Sequence, residues 1–259
     1  MKAQSLGDEW FSTVYPKIRD VLGYNQTRDE QSRDLLSTLL AKNKAPSFDL
    51  IQQLIQNKQI LMLGAGPSLE SDLSGLTKFM KECRPTLVAA DGAADALYET
   101  GITPSIIVSD LDSCSLRSLE MCSREGYIFA HAHGDNMPLI EKVIPALGSN
   151  VFGTTQVSSV GNVTNFGGLT DGDRACFVIS YFEPSSIIIA GMDFGTSEGS
   201  YSKNKYSSGD NPLRPTKLSL GRESLEFLIR SQPKIKFLNV TKFGEEIRGA
   251  PKVEYSTIT

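Results

Sequence analysis

The amino-acid sequence predicts a mostly parallel, doubly wound α/β sheet that follows an N-terminal helical extension. Beyond residue 59, short runs of apolar and often β-branched residues occupy consecutive positions, as in strands that are buried on both faces. Helical stretches separate these runs, and this alternation of strand and helix is typical of Rossmann-like sheets. Residues 1–57, by contrast, are polar and charged and contain no strong strand run.

The predicted elements follow in chain order. In residues 1–57, leucines recur at helical spacing on both sides of a break near Pro46, which predicts a small helical cap or an oligomerisation element and leaves a homo-oligomer open. Residues 58–259 form the predicted catalytic domain. Its strands are expected at Ile60–Leu63, Thr86–Ala90, Ser105–Ser109, Tyr127–Ala130, Asn150–Phe152, Ile187–Ala190 and Lys236–Val240. The helices are expected at Ala93–Thr100, Leu116–Ser123, Pro138–Ala146, Asp173–Phe182 and Leu218–Arg230.

One segment of the predicted catalytic domain has the composition of a loop. Residues 195–216 are rich in Gly, Ser, Lys and Asn and end with two prolines. Such a segment is either a solvated loop or a mobile lid over a bound ligand.

Composition limits the function classes. The chain has 259 residues, of which 40% are hydrophobic and 22% charged, enough to bury a substantial core. A net charge of -4 argues against broad nucleic-acid binding, which normally needs a basic face. The four cysteines contain no CxxC pair and there are two histidines, so a structural zinc site is not expected. Asp8 and Glu9 are untypical of a signal peptide, and no apolar run approaches the ~20 residues of a membrane helix. We therefore expect a cytoplasmic protein that binds neither nucleic acid nor membrane.

Polar or glycine-rich residues follow six of the predicted strands. The carboxyl ends of parallel strands meet at one edge of the sheet, and ligands bind there. A purely structural sheet needs turn residues at this edge, but not so many carboxylates. In chain order the segments are Gly64-Ala65-Gly66-Pro67-Ser68, Asp91-Gly92, Asp110-Leu111-Asp112-Ser113, His131-Ala132-His133-Gly134-Asp135-Asn136, Thr154-Thr155-Gln156 and Asp193.

The two aspartates after the third strand indicate a metal site. On an extended segment, Asp110 and Asp112 would point to the same side. Two carboxylates ~4 Å apart repel by ~4 kcal/mol at an effective dielectric near 20, and a hard divalent cation such as Mg²⁺ relieves this repulsion. Asp91, Asp171 and Asp173 add carboxylates of the same kind. The alternatives are a solvated acidic turn and helix N-caps at Asp112, Asp171 or Asp173.

The glycine turn after the first strand could bind phosphate. Gly64 and Gly66 allow close backbone approach, Pro67 suits the first turn of a helix, and Ser68 offers a hydroxyl group to an anion. The third glycine of GxGxxG is missing, since Leu69 follows Ser68, so a plain structural turn is the alternative.

The two histidines follow the fourth predicted strand. They could be polar packing groups, since their i, i+2 spacing suits one face of a strand. His133 precedes Gly134-Asp135-Asn136, and we favour a ligand contact or an aid to proton transfer for it.

Taken together, these segments resemble the archaeal 6-hydroxymethyl-7,8-dihydropterin diphosphokinases, which in turn resemble the catalytic domain of thiamine diphosphokinases. The resemblance runs from about residue 60 to residue 230 and is specific only as a set of motifs. Besides Gly64–Leu69, Asp91-Gly92, the aspartate pair, His131–Asn136 and Thr154-Thr155-Gln156, it includes Gly167–Arg174 and Gly191–Gly195. It implies the transfer of a diphosphate from ATP to the hydroxymethyl group of a reduced pterin, with release of AMP.

The resemblance also implies roles for individual residues. Asp110, Asp112 and Asp171 would be catalytic and hold Mg²⁺, with Asp91 and Asp173 as further metal ligands. Arg174, Lys217 or Arg222 would steady the migrating charge, and Asn136 and Gln156 would read a heterocycle edge. The remaining expected nucleotide- or substrate-binding residues are Gly64, Gly66, Ser68, Asp91, Gly92, His133, Asp135 and Thr155.

Four other functions stay open from the sequence. Thiamine diphosphokinase has the same metal chemistry and a different acceptor. A dinucleotide or S-adenosylmethionine site would use the glycine turn with Asp91 on a ribose, but it leaves the other aspartates without a role. A related core in glycan-modifying proteins of bacterial motility makes a sugar-nucleotide transferase a weaker option, and a nucleotide sensor would bind ATP without turnover.

Overall fold

A computed structural model describes residues 3–43, 46–202 and 212–258 of the chain. In these residues, eight parallel strands form one sheet in the order β6-β5-β4-β3-β2-β1-β7-β8. The strands are β1 (Gln59–Leu63), β2 (Thr86–Ala90), β3 (Ile106–Ser109), β4 (Tyr127–Ala132), β5 (Val151–Thr155), β6 (Val163–Thr164), β7 (Ser186–Ala190) and β8 (Lys236–Asn239).

Ten α-helices accompany the sheet within the same residues. Four of them precede β1 and are α1 (Ala3–Thr13), α2 (Tyr15–Leu22), α3 (Gln26–Leu40) and α4 (Phe48–Ile55). The others are α5 (Leu69–Cys83), α6 (Ala93–Glu99), α7 (Leu116–Glu125), α8 (Met137–Val143), α9 (Asp171–Ser180) and α10 (Arg214–Ser231). None of the helices in the described ranges is long and apolar enough to cross a membrane.

The predicted fold class is confirmed, and each predicted strand is present to within three residues at its ends. Strand β6 was missed because its two residues are too few to show any periodicity. Helix α9 begins two residues earlier than expected, at Asp171, and α10 begins four residues earlier, at Arg214. Both differences matter, since these helix starts lie at the functional edge of the sheet.

Both faces of the sheet are buried, which explains the consecutive apolar residues of its strands. Alternate residues of β1 belong to different cores, with Ile60 on one face and Leu61 on the other. The first core also contains side chains of α1, α2, α4, α9 and α10, and the second contains side chains of α3 and α5–α8. The N-terminal helices therefore pack on both faces: Trp10 of α1 and Leu36 of α3 are fully buried on opposite sides.

The strand order reverses at β1, so that strands are added first on one side of β1 and later on the other. From β1 the chain proceeds through β2, β3, β4 and β5 to one edge and later returns to place β7 on the other side of β1. Such a switch point opens a crevice at the carboxyl ends of the two central strands. Here the turns after β1 and β7 are in direct contact, because the Gly64 and Gly66 N–H groups donate to the carbonyl oxygens of Ala190 (2.9 Å) and Gly191 (2.7 Å).

Candidate active site

A cavity of about 660 Å³ opens at this switch point. Its walls are formed by the turns after β1, β2, β3 and β7 and by the first turns of α9 and α10. This volume is within the range of small-molecule sites. The cavity brings together seven residues that the sequence predicted as functional, namely Gly64, Gly66, Asp91, Asp110, Asp112, Asp171 and Lys217.

Three carboxylates form a cluster in the wall of this cavity. One oxygen atom from each of Asp91, Asp110 and Asp171 lies within 4.8 Å of the others. Asp91 follows β2, Asp110 follows β3, and Asp171 begins α9, so three separate elements supply the cluster. The Asp91 carboxylate is fixed by the Ser109 hydroxyl and by the Cys114 N–H, which donates at 3.1 Å.

The carboxylates of the cluster perturb one another. Burial and the charge of Asp110 raise the pKa of Asp91 to about 6 and the pKa of Asp171 well above its usual value. Burial acts on Asp110 in the same direction, but the hydrogen bond and charge of His133 and the charge of Lys217 hold the pKa of Asp110 well below its usual range. A hard divalent cation would neutralise this repulsion, so the donor set fits Mg²⁺.

Asp112 lies in the cavity wall but outside the three-carboxylate cluster. The expectation that it shares an extended segment with Asp110 is wrong, because Leu111 between them has a φ of 74° and turns the chain. The Asp112 carboxylate accepts a hydrogen bond from the Ser113 hydroxyl at 2.7 Å. Burial and the charges of Asp110 and Asp91 raise the pKa of Asp112 to about 8.

Asp173 has a capping role, which corrects our expectation that it binds metal. It is fully buried, and its carboxylate accepts the N–H groups of Leu169 (2.8 Å) and Thr170 (2.6 Å) together with the Thr170 hydroxyl. These contacts complete the capping box that begins α9. Asp173 thereby fixes the helix start that directs Asp171 into the cavity.

Arg174 supports Asp171 from within the protein. Its guanidinium is 3.0 Å from Asp171 Oδ1 and also donates to the Leu169 carbonyl oxygen at 2.8 Å. Arg174 is buried and is not among the residues that line the cavity. Its Nε atom has no hydrogen-bond partner in the described parts of the chain.

Helix α10 brings positive charge to the same cavity. Lys217 lines the cavity, and although burial lowers its pKa, interactions with Tyr24, Asp110 and Asp171 raise the pKa above its usual value. Arg214, one turn earlier on the same face of α10, also lines the cavity and pairs with Glu198 at 3.1 Å. Arg214 was not predicted as a site residue, because no sequence motif marks it.

Arg222 lies elsewhere, which corrects its expected role. It pairs with Glu245 at 3.3 Å and lines a separate groove of about 670 Å³ that also contains Lys17 of α2 and Glu223 of α10. Its distance along α10 from Lys217 is five residues, which places the two side chains on different faces of the helix.

The glycine turn after β1 has a packing role. A Cβ atom on Gly66 would collide with the Asp193 carboxylate, and one on Gly64 would collide with the Met192 side chain. Ser68 is fully buried, and both its N–H and its hydroxyl donate to Asp193. The hydroxyl group and the glycine N–H groups are thus engaged within the protein, so our expectation that they bind a phosphate directly is corrected.

The loop after β4 holds Asp110 in place. His133 Nε2 lies 3.4 Å from Asp110 Oδ2, and His133 is not among the residues that line the cavity. The Asn136 amide donates to the carbonyl oxygens of Asp110 (2.8 Å) and His131 (2.7 Å) and accepts the His133 N–H, so both of its donor hydrogens are used. Asn136 therefore holds the loop after β4 against β3, and its amide hydrogens are not free to contact a ligand. Asp135 is exposed and pairs with Arg28 at 3.5 Å.

The residues after β5 also bind other parts of the protein. The Thr155 hydroxyl oxygen accepts the Val157 N–H at 3.3 Å, and the Gln156 amide donates to Asp29 at 2.8 Å. Neither side chain lines the cavity. His131, on β4, is buried with its Nδ1 3.0 Å from Thr154 Oγ1.

The segment after β7 covers part of the cavity. Residues 195 and 197–199 line it, with Gly199 packed on Gly66, and the Tyr201 carbonyl oxygen packs on Gly92 so closely that a Cβ atom there would collide. Gly92 thus contacts the segment that the sequence left open as a solvated loop or a lid. Residues 203–211 of that segment lie outside the described part of the chain.

A protein-family profile described as 6-hydroxymethylpterin diphosphokinase MptE-like matches residues 36–199. The chain belongs to this family. Its curated relatives named 6-hydroxymethyl-7,8-dihydropterin pyrophosphokinase include a Methanocaldococcus jannaschii protein that is 35% identical over 242 residues, covering 89% of this chain and 98% of the relative. A Methanothermobacter thermautotrophicus protein of the same name is 36% identical over 83% of this chain and 89% of its own length. A Pyrococcus furiosus protein, also of that name, is 36% identical over 85% of this chain and 93% of its own length.

A solved structure shares the fold of this MptE-like chain. The MAf glycosyltransferase from Magnetospirillum magneticum AMB-1 superposes with a TM-score of 0.58 at 16% identity over 89% of this chain. The chain spans 39% of that larger protein. At this identity the likeness concerns the α/β architecture alone.

Proposed function

We propose that this chain catalyses the Mg²⁺-dependent transfer of diphosphate from ATP to 6-hydroxymethyl-7,8-dihydropterin, giving AMP and the pterin diphosphate. The observation that carries the proposal is that the switch-point cavity is lined both by the cluster of Asp91, Asp110 and Asp171 and by Lys217 and Arg214. Three relatives that cover most of the chain bear the name of this activity.

The carboxylate cluster is suited to hold the metal. Asp91, Asp110 and Asp171 would bind Mg²⁺, and Asp112 is placed in the same wall to contact its water shell. When bound, Mg²⁺ supplies charge neutralisation to the phosphate groups of the nucleotide. Arg174 orients Asp171, and His133 orients Asp110, so the ligands are held before substrate arrives.

The basic wall is suited to bind the phosphates. Burial lowers the pKa of Lys217, but interactions with Tyr24, Asp110 and Asp171 raise it above its usual value, so Lys217 is charged at neutral pH. Arg214 presents a guanidinium, whose planar fork matches phosphate oxygens. In phosphoryl transfer the protein takes little part in the covalent chemistry. Positioning of the substrates between the carboxylate cluster and the basic residues accounts for most of the expected rate gain.

The position of Asp91 argues against the dinucleotide alternative. In that alternative the acid after β2 binds a ribose hydroxyl, whereas Asp91 shares its site with Asp110 and Asp171. The Gly64 and Gly66 N–H groups, which would approach a pyrophosphate in that alternative, donate to Ala190 and Gly191.

The test is an assay of nucleotide products with ATP, Mg²⁺ and 6-hydroxymethyl-7,8-dihydropterin, with thiamine as a parallel acceptor. We expect AMP with the pterin and none after EDTA treatment. Asp110→Asn should abolish AMP formation, while Asp135→Asn, an exposed carboxylate outside the cavity, serves as the matched control. AMP with thiamine instead would change the acceptor, and AMP with neither acceptor would overturn the proposal.

A further inference from the structure

Asp29 of α3 forms a buried node between the N-terminal helices and the functional edge of the sheet. Its side chain is 3% exposed, and its carboxylate accepts three hydrogen bonds. The Gly134 N–H donates to Oδ1 at 2.7 Å, while the Gln156 amide and the Tyr15 hydroxyl donate to Oδ2, each at 2.8 Å. One carboxylate thus ties α3 to α2, to the loop after β4 and to the residues after β5.

The loop after β4 transmits this contact to the carboxylate cluster. Gly134 directly follows His133, whose Nε2 lies 3.4 Å from Asp110 Oδ2. No room exists between this loop and α3, because a Cβ atom on Gly134 would collide with Arg28 and crowd Asp29. The position of His133 against Asp110 is therefore set in part by α3.

The Asp29 node lies on the side of the cluster away from the switch-point cavity. That cavity lies at the ends of β7, β1, β2 and β3, whereas Asp29 binds residues that follow β4 and β5, the next two strands after β3 in the sheet. Two buried polar atoms near this side, His131 Nε2 and Arg174 Nε, lack hydrogen-bond partners among the described residues. Buried polar atoms without partners are rare, and a polar heterocycle bound nearby would supply them.

We propose that Asp29 is a positioning residue that fixes His133 and Gln156 on the acceptor side of the carboxylate cluster. The N-terminal helices then form part of the active site, and the phosphate donor occupies the switch-point cavity on the other side. This inference rests on the proposed diphosphate transfer, because it assigns a side of the cluster to each substrate.

The test reverses the hydrogen bond between Gln156 and Asp29, so that the donor becomes the acceptor. In Asp29→Asn, the remaining oxygen still accepts the Gly134 N–H, but the new NH₂ group faces the NH₂ group of Gln156. We expect kcat to fall about tenfold and the KM for the pterin to rise about tenfold, with the KM for ATP changed less than about twofold. The double variant Asp29→Asn/Gln156→Glu restores a donor–acceptor pair and should recover both parameters to within about threefold of wild type.

Asp34→Asn is the matched control, since Asp34 lies on the same helix, is exposed and pairs with Arg33. Hydrogen exchange of the amides of residues 131–136 gives a second readout, and Asp29→Ala should speed that exchange while Asp34→Asn should not. Equal changes in the KM for ATP and for the pterin, or a folded double variant without recovery, would overturn the inference. Absence of turnover in the wild type would instead overturn the proposed function, and the exchange data alone would then decide for or against the Asp29 link.

Discussion

His133 Nε2 lies 3.4 Å from Asp110 Oδ2, and this contact joins the loop after β4 to the central carboxylate of the cluster. Burial would raise the pKa of Asp110, but the hydrogen bond and charge of His133 contribute to holding it well below the usual range. Asp110 is thereby kept ionised beside Asp91, whose pKa is raised.

Removal of the imidazole should weaken catalysis without unfolding the protein. Hydrogen bonds to charged groups contribute ~1.5–3 kcal/mol, so His133→Ala should lower kcat about ten- to hundredfold. Steady-state kinetics at saturating ATP measures this effect. Asp135→Asn, two residues further along the same loop, is the control and should retain full activity; a similar loss there would assign the effect to general disturbance of the loop.

The raised carboxyl pKa values predict how the metal-free protein responds to pH. Burial and Asp110 raise the pKa of Asp91 from 3.8 to about 6, so the folded protein holds this proton more tightly than the unfolded chain. The associated stabilisation is complete below the unfolded pKa of 3.8 and is lost as the pH rises through about 6. Asp112, whose pKa is raised to about 8, extends this loss of folding stability to higher pH.

We therefore expect Asp91→Asn to flatten the decline in Tm between about pH 4 and pH 6. Mg²⁺ added to the wild type should raise Tm, and this gain should grow with pH as the carboxylates ionise. Differential scanning calorimetry with EDTA or with Mg²⁺ provides both comparisons. A gain that is independent of pH would contradict a metal site built from these carboxylates.

Substitutions of Asp171 and Asp173 should have different effects, on activity and on stability respectively, although the two residues are only two positions apart. Asp171→Asn removes a cluster carboxylate and should lower kcat by about a thousandfold, comparable to other losses of electrostatic stabilisation. Asp173→Ala leaves the N–H groups of Leu169 and Thr170 without their acceptor and should destabilise the fold by ~1–3 kcal/mol. Urea unfolding and Mg²⁺ titration of both variants separate the roles; lost Mg²⁺ binding in a folded Asp173→Ala would restore that residue as a ligand.

The sequence sufficed to predict the sheet and the edge that carries the site. Consecutive apolar residues indicate a strand that is buried on both faces of a parallel sheet. The residues that directly follow such strands lie at the edge where ligands bind. Asp91 and Asp110 were therefore found from their positions alone. The choice of Asp171 over Asp112 as the third member of the cluster depends on the left-handed turn at Leu111, which no local pattern reveals.

Residues that act through distant partners could not be predicted. Asp29 looks like any acidic residue in the first turn of a helix, and its partners Gly134 and Gln156 lie 105 and 127 residues away. Ser68 was assigned to a ligand because a hydroxyl group at a helix start often binds anions. Its actual acceptor, Asp193, becomes adjacent only when β7 pairs with β1.

Lys217 and Arg222 are both basic residues of α10, but only Lys217 lines the cavity that contains the carboxylates. Lys217→Met keeps most of the length of the side chain, removes the charge that interacts with Asp110 and Asp171, and should lower kcat/KM for ATP by at least about a hundredfold. Arg222→Met breaks an exposed pair with Glu245 and should change kcat/KM by less than about twofold. Initial rates of AMP formation over a range of ATP concentrations measure both. Equal losses in the two variants would place the nucleotide along the whole of α10 and would contradict a site confined to the switch-point cavity.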